Sequence, residues 1–89
     1  MLKGQTIYLV IVSWINDGED GNLSRAFEHL KNAKAYMKTM YDIDLANYKK
    51  RWEEIDIDCA FGGMGACVGL KEHYSEFHVT YEIQQKIIN

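Results

Sequence analysis

The sequence predicts an α+β fold, an antiparallel sheet of about four strands with one or two helices packed on one face, in β-α-β-β-β order. Three observations lead to this prediction. Residues Thr6–Trp14 are apolar at nearly every position, which is typical of a strand covered on both faces. From Leu23 to Tyr41, apolar residues recur every three or four positions, which predicts an amphipathic helix. After this helical region, three stretches alternate apolar and polar residues, which predicts half-buried strands.

Length and composition indicate one domain over residues 1–89, because 89 residues with 47% hydrophobic content can form a single core. The formal net charge of −3 is too small to predict direct nucleic-acid binding. The apolar run Ile7–Ile15 is too short to cross a membrane and ends at the turn signal Asn16-Asp17-Gly18. Two cysteines are too few for a disulfide framework. We therefore expect a cytoplasmic protein with neither a membrane nor a direct nucleic-acid partner.

The first strand carries apolar residues on both faces because successive side chains alternate. Ile7, Leu9 and Ile11 share one face, and Tyr8, Val10, Val12 and Trp14 share the other. We expect the first row to lie in the core beneath the helix, together with Ile55, Ile57, Phe77, Val79 and Tyr81. One helical layer covers only one face of the sheet, so the second row should be covered by a second copy or another protein. The sequence therefore predicts a homodimer or a partner-binding face.

The middle of the chain allows two interpretations. After the loop Asn16–Asn22, we favour a helix from Leu23 to Tyr41 with Lys31, Lys34 and Lys38 on its polar face. Alternatively, residues 22–27 form a short strand and the helix begins near Leu30. Asp42-Ile43-Asp44 interrupts the pattern, and the apolar residues that follow predict a short second helix, namely Leu45, Tyr48 and Trp52.

The last three strands are predicted at Glu53–Phe61, Ala66–Lys71 and Phe77–Gln84, and they can form an antiparallel meander beside the first strand. Gly62-Gly63-Met64-Gly65 is the turn between the first two of them. A hairpin symmetric about Gly63 would place Cys59 opposite Cys67 on one face. A shift of one residue would place the two cysteines on opposite faces.

Several residue groups resemble chemical sites, but their spacing favours simpler interpretations. Gly62, Gly63, Gly65 and Gly69 match no phosphate-binding loop and precede a strand. The metal-ligating types Cys59, Cys67, His73 and His78 lack the spacing of a zinc finger. Asp17, Glu19 and Asp20 give an incomplete calcium loop. We therefore expect no cofactor, no metal and no enzymatic activity.

Acidic residues are the best candidates for a binding surface. Glu54, Asp56 and Asp58 lie on one face of a predicted strand, and a second acidic group follows the first strand. Such carboxylates suit a basic partner surface, and an aromatic side chain can supply the main affinity. The predicted partner-binding residues are Trp14, Asp17, Glu19, Asp20, Asp56 and Asp58.

The segment Thr6–Tyr36 resembles small proteins of phages and prophages. The shared features are the strand Ile7-Tyr8-Leu9-Val10, the acidic loop Asp17–Asn22, and a Phe-x5-Ala-x-x-Tyr pattern formed by Phe27, Ala33 and Tyr36. Tyr81-Glu82-Ile83 is similar to their closing strand. Some anti-CRISPR proteins have a similar architecture and block a host defence complex by binding it. The resemblance implies a non-enzymatic inhibitor that binds a basic host protein complex in the host cell cytoplasm. The alternative is an oligomeric binder or sponge for a small nucleotide-like ligand.

Overall fold

The computed structural model describes residues 4–88 as a five-stranded sheet with one long helix on one face. The sheet order is β2-β1-β5-β4-β3, and every neighbouring pair is antiparallel. The α+β class and the antiparallel sheet are thus confirmed, whereas the chain order contains one more strand than predicted. The elements are β1 (Thr6–Asn16), β2 (Glu19–Phe27), α1 (Leu30–Arg51), β3 (Ile57–Phe61), β4 (Gly65–Leu70) and β5 (Phe77–Ile87).

The additional strand β2 follows from the turn at Asp17-Gly18. Both residues have left-handed backbone angles, with φ of 53° at Asp17 and 88° at Gly18, as the two-residue hairpin turn requires. Leu23 and Phe27 are four residues apart, so they fit a helix, but they also fit the period of two of a strand. The favoured helix over residues 23–29 is therefore wrong, and the alternative with a helix beginning at Leu30 is correct.

Of the predicted one or two helices the structure has one, and the separate short helix expected after Asp44 is instead part of α1, which runs unbroken for 22 residues. The polar residues Asp42 and Asp44 make contacts compatible with a helix. Asp42 accepts a hydrogen bond from Lys38 one turn earlier, at 2.8 Å. Asp44 accepts a hydrogen bond from the hydroxyl of Tyr81 on the sheet. The helix therefore continues through this segment to its basic last turn at Lys49, Lys50 and Arg51.

The meander of the last three strands is confirmed, and β1 lies beside β5. In the turn between β3 and β4, the Gly62 amide donates to the Gly65 carbonyl at 2.8 Å. The register places Ala60 opposite Cys67, and Cys59 opposite Val68. The two cysteines consequently lie on opposite faces of the sheet, which is the shifted alternative.

The pairing of β1 with β5 determines which face of β1 lies under the helix. Val10 pairs with Ile83, Val12 with Tyr81 and Trp14 with Val79, so this row meets an apolar row. These residues form the core with α1, in which Ala33 and Met37 are completely buried. The other row of β1 meets the polar residues of β5, namely His78, Thr80, Glu82, Gln84 and Lys86.

The predicted orientation of β1 is therefore reversed. Ile7, Leu9 and Ile11 face away from the helix, whereas Tyr8, Val10, Val12 and Trp14 face it. Other predicted core residues are confirmed, since Val79 and Tyr81 are buried and Ile57 packs against the core. Ile7 is also buried as expected, although it lies on the side opposite α1. Ile55 was also expected there, but it is 40% exposed because it precedes β3.

We call the sheet surface opposite α1 the open face, since none of the helix or strand elements described in residues 4–88 lies over it. Each strand contributes alternate side chains to this surface. The row nearest the end of β1 crosses all five strands and consists of Asp20, Ile15, His78, Gly69 and Asp58. Toward the start of β1, the sheet narrows to three strands because β4 pairs with β5 only as far as Glu82.

Truncation of Met37 tests the position of the core. Met37→Ala should lower the free energy of unfolding by about 2–5 kcal/mol, because its side chain is completely buried between α1 and the sheet. Ile43→Ala on the same helix is the control, since Ile43 is 51% exposed, and it should change stability by less than about 0.5 kcal/mol. Urea unfolding measures both values, and equal losses would contradict this helix orientation.

Candidate functional site

Most of the negative charge lies at one end of the sheet, where β1 and β4 end and where β2, β3 and β5 begin. The last turn of α1 lies there too, since Arg51 Nη1 donates to Asn16 Oδ1 at 3.4 Å. Four basic residues, Lys49, Lys50, Arg51 and Lys71, accompany the carboxylates. We call this region the acidic end, and it holds nine of the thirteen carboxylates: Asp17, Glu19, Asp20, Glu53, Glu54, Asp56, Asp58, Glu72 and Glu76.

Five of the six predicted binding residues come together at this end, although they belong to two segments far apart in sequence. Asp17, Glu19 and Asp20 form the β1–β2 turn region, and Asp56 and Asp58 lie at the start of β3. All five are exposed. Asp20 and Asp58 occupy opposite margins of the open face in one row, roughly 19 Å apart by the usual strand spacing.

The two acidic segments are held in place by backbone pairing. The amide of Asp17 donates to the carbonyl of Glu76 at 2.8 Å, which ties the β1–β2 turn to the β4–β5 loop. The amide of Lys71 donates to the carbonyl of Asp56 at 2.9 Å, which ties that same loop to the start of β3. Backbone hydrogen bonds therefore connect both acidic segments to the β4–β5 loop.

Ile55 supplies an apolar side chain on the β3 side of the acidic end. It is 40% exposed and lies between Glu54 and Asp56 in the segment joining α1 to β3. A shallow hollow of about 270 Å³ opens beside it. Its lining consists of Glu54, Ile55, Asp56, Glu72 and His73. Sequence reasoning assigned Ile55 to the core because it continues the alternation of β3, and only the start of β3 at Ile57 shows otherwise.

Trp14, the sixth predicted binding residue, lies on the helix face instead. It is half-buried and packs against the core. Its indole ring covers Gly21 on β2, so that a Cβ at Gly21 would lie 2.5 Å from the ring. Glycine is therefore needed at residue 21 for close approach. Trp14 is close to the acidic loop in sequence, but this closeness does not indicate that its side chain faces the helix.

Tyr74 forms a small aromatic cluster on the open face at the acidic end. Its ring stacks on His78 with centroids 4.7 Å apart and covers Gly69, where a Cβ would clash with it. His78 Nδ1 lies 2.5 Å from the Tyr74 carbonyl oxygen. Burial and a hydrogen bond with Cys67 raise the pKa of Tyr74 to about 12. The Tyr74 ring therefore protrudes from the open face over β4 and β5 at the acidic end.

The residue types of a metal site do not converge. Cys59 and Cys67 are free thiols on opposite faces of the sheet. Within residues 4–88 no three histidine, cysteine or carboxylate side chains are grouped so as to hold a metal ion. The glycines at residues 62, 63 and 65 form the β3–β4 turn and lead into a strand.

Comparisons of the chain with protein-family models, curated proteins and solved structures found no match. The described residues also contain no helix that is both long and apolar enough to span a membrane.

Gly21→Ala should destabilise the protein by about 1–3 kcal/mol, because the new methyl group would overlap the Trp14 ring. Gly63→Ala is the matched control, since its Cβ would meet only the end of Lys34 at 3.9 Å. Urea unfolding with fluorescence detection compares the two variants. Equal stability of both would show that Trp14 does not cover Gly21.

Alkaline titration tests the environment of Tyr74. Because folding raises its pKa above the usual value of 10, the contribution of Tyr74 to stability is complete below pH 10 and is lost as pH rises toward about 12. Phenolate absorbance of the wild type minus that of Tyr74→Phe should show one group titrating near pH 12. A difference curve centred at pH 10 would contradict the hydrogen-bonded, half-buried position.

Proposed function

We propose that this protein is a non-enzymatic protein-binding module that docks its acidic end on a basic surface of a partner protein. One observation carries the proposal: two acidic segments far apart in sequence lie at the same end of the sheet, and one of them contains the exposed side chain of Ile55. The arrangement combines an exposed apolar side chain with surrounding charged and polar residues, which is the composition of a binding surface.

The two kinds of group would contribute differently. Carboxylates such as Glu19, Asp20 and Asp56 would accelerate encounter with a basic surface, and salt would weaken this effect. Ile55 would supply affinity by leaving water on contact, at about 25 cal/mol per Å² of buried apolar area. Ile55 thus takes the anchoring role that the sequence assigned to Trp14, whose ring already packs within the fold.

The resemblance to phage-type proteins suggests the class of partner. Bacterial defence complexes that handle nucleic acids carry basic surfaces, and an acidic protein bound there would obstruct nucleic-acid entry. We propose that the chain acts in this way, as an anti-CRISPR-like inhibitor in the cytoplasm of a host cell.

The alternative of a nucleotide-like ligand has no specific support at this site. The hollow beside Ile55 is lined by the carboxylates of Glu54, Asp56 and Glu72. These groups would repel the phosphates of a nucleotide.

The proposal is tested by inhibition of nucleic-acid cleavage in a panel of purified CRISPR effector complexes. For a complex that the wild type inhibits, Ile55→Ala should weaken inhibition about tenfold, and Glu19→Lys with Asp20→Lys should weaken it at least tenfold. Lys31→Glu with Lys34→Glu is the control for charge reversal, because these residues lie near the opposite end of the molecule, and it should keep full inhibition.

Inhibition that survives the acidic-end substitutions but is lost with the lysine substitutions would place the interface on α1. An absence of inhibition across the panel would overturn the proposed class of partner. Circular dichroism of each variant establishes that it is folded.

A further inference from the structure

The narrow half of the open face is an apolar strip without a cover among the elements described in residues 4–88. Here β1 is the middle of three strands, with β2 on one side and β5 on the other. Leu9 and Ile11 are half-buried and point outward beside the small residue Ala26. β1 is therefore apolar on its second face as well, at the place where the β3–β4 hairpin and the Tyr74 cluster do not reach.

The charges beside this strip have an order that makes the surface complementary to itself. Along β5, the open face presents Glu82, Gln84 and Lys86, which are negative, neutral and positive. Gln84 lies opposite Leu9 in the register, and Gln84 Nε2 donates to Glu82 Oε1 at 3.0 Å. A two-fold axis in the plane of the interface, perpendicular to the strands at Leu9 and Gln84, would place Glu82 against the partner's Lys86 on both sides.

We propose that the occupant of this face is a second copy of the chain, packed sheet to sheet with its strands running antiparallel to those of the first. The Leu9 and Ile11 side chains of the two copies then exclude water at the centre, and two Glu82–Lys86 pairs fix the orientation. An axis parallel to the strands would not bring Glu82 against the partner's Lys86, and over β5 it would place Glu82 against the partner's Glu82, which like-charge repulsion disfavours. Isologous contacts of this kind are the usual form of a dimer.

The contact area predicts a reversible dimer. A stretch of about seven residues along three strands covers roughly 23 by 14 Å, or about 320 Å² per copy, which is below the size of standard specific interfaces and suits only a weak, transient contact. We therefore expect a dissociation constant on the order of micromolar. The acidic ends point away from the centre in opposite directions, so each copy keeps its acidic end available for the partner proposed above.

Sedimentation over a range of concentrations tests the dimer. The wild type should change from the 10.3 kDa monomer to twice this mass as concentration rises. Leu9→Glu should raise the dissociation constant at least ~100-fold, whereas Ile43→Glu, an apolar-to-charged change on the exposed face of α1, should leave it within ~3-fold. A wild type that stays monomeric up to millimolar concentration would overturn the proposal, as would dimerisation unaffected by Leu9→Glu.

Charge reversal tests the orientation with variants that keep the apolar strip intact. Glu82→Lys and Lys86→Glu should each weaken the dimer at least ~10-fold, and the double variant should restore it to within ~3-fold. Higher salt should weaken the wild-type dimer, whereas it would strengthen a dimer that opposes like charges. Failure of the double variant to recover would exclude the antiparallel arrangement.

This inference and the proposed function can fail separately. Acidic-end substitutions should leave dimerisation unchanged, because Ile55, Glu19 and Asp20 lie outside the strip centred on Leu9. Leu9→Glu should preserve inhibition by the monomer at concentrations that saturate the target.

Discussion

The register between β1 and β5 is the constraint from which the other features follow. Eleven residues of β1 pair with eleven of β5, from Thr6 opposite Ile87 to Asn16 opposite Phe77. The side-chain period of a strand is two, so a slip of one residue would bring polar residues of β5 beside the apolar row under α1. Val10, Val12, Tyr81 and Ile83 would then no longer form one core with Met37.

This register also separates two surfaces. It aligns the strand ends so that the β1–β2 turn, the β4–β5 loop and the start of β3 form the acidic end. The same pairing turns Leu9 and Ile11 toward the side that α1 leaves uncovered. The charged surface therefore lies at one end of the sheet and the apolar strip at the other, so the two surfaces do not overlap.

Sequence patterns located the elements but could not orient all of them. Polar and apolar residues alternate in the last strand, so its buried row, which includes Val79 and Tyr81, was predictable. β1 is apolar on both faces, so its own sequence cannot show which row lies under the helix. For the same reason, the prediction from sequence assigned Trp14 to the wrong face of the sheet. The sequence correctly identified the exposed carboxylates. Their placement at one end of the sheet depends on long-range strand pairing, and the exposure of Ile55 depends on where β3 begins.

The pairing of the first strand with the last affects how the chain acquires its structure. Paired residues of β1 and β5 are roughly 60 to 80 positions apart, a separation typical of slow-folding topologies. The β1–β2 hairpin can close locally as soon as it is made, but the layer beneath α1 stays incomplete until β5 leaves the ribosome. A nascent chain thus exposes both apolar faces of β1 during synthesis. This interval is when chaperones would be most needed to prevent aggregation.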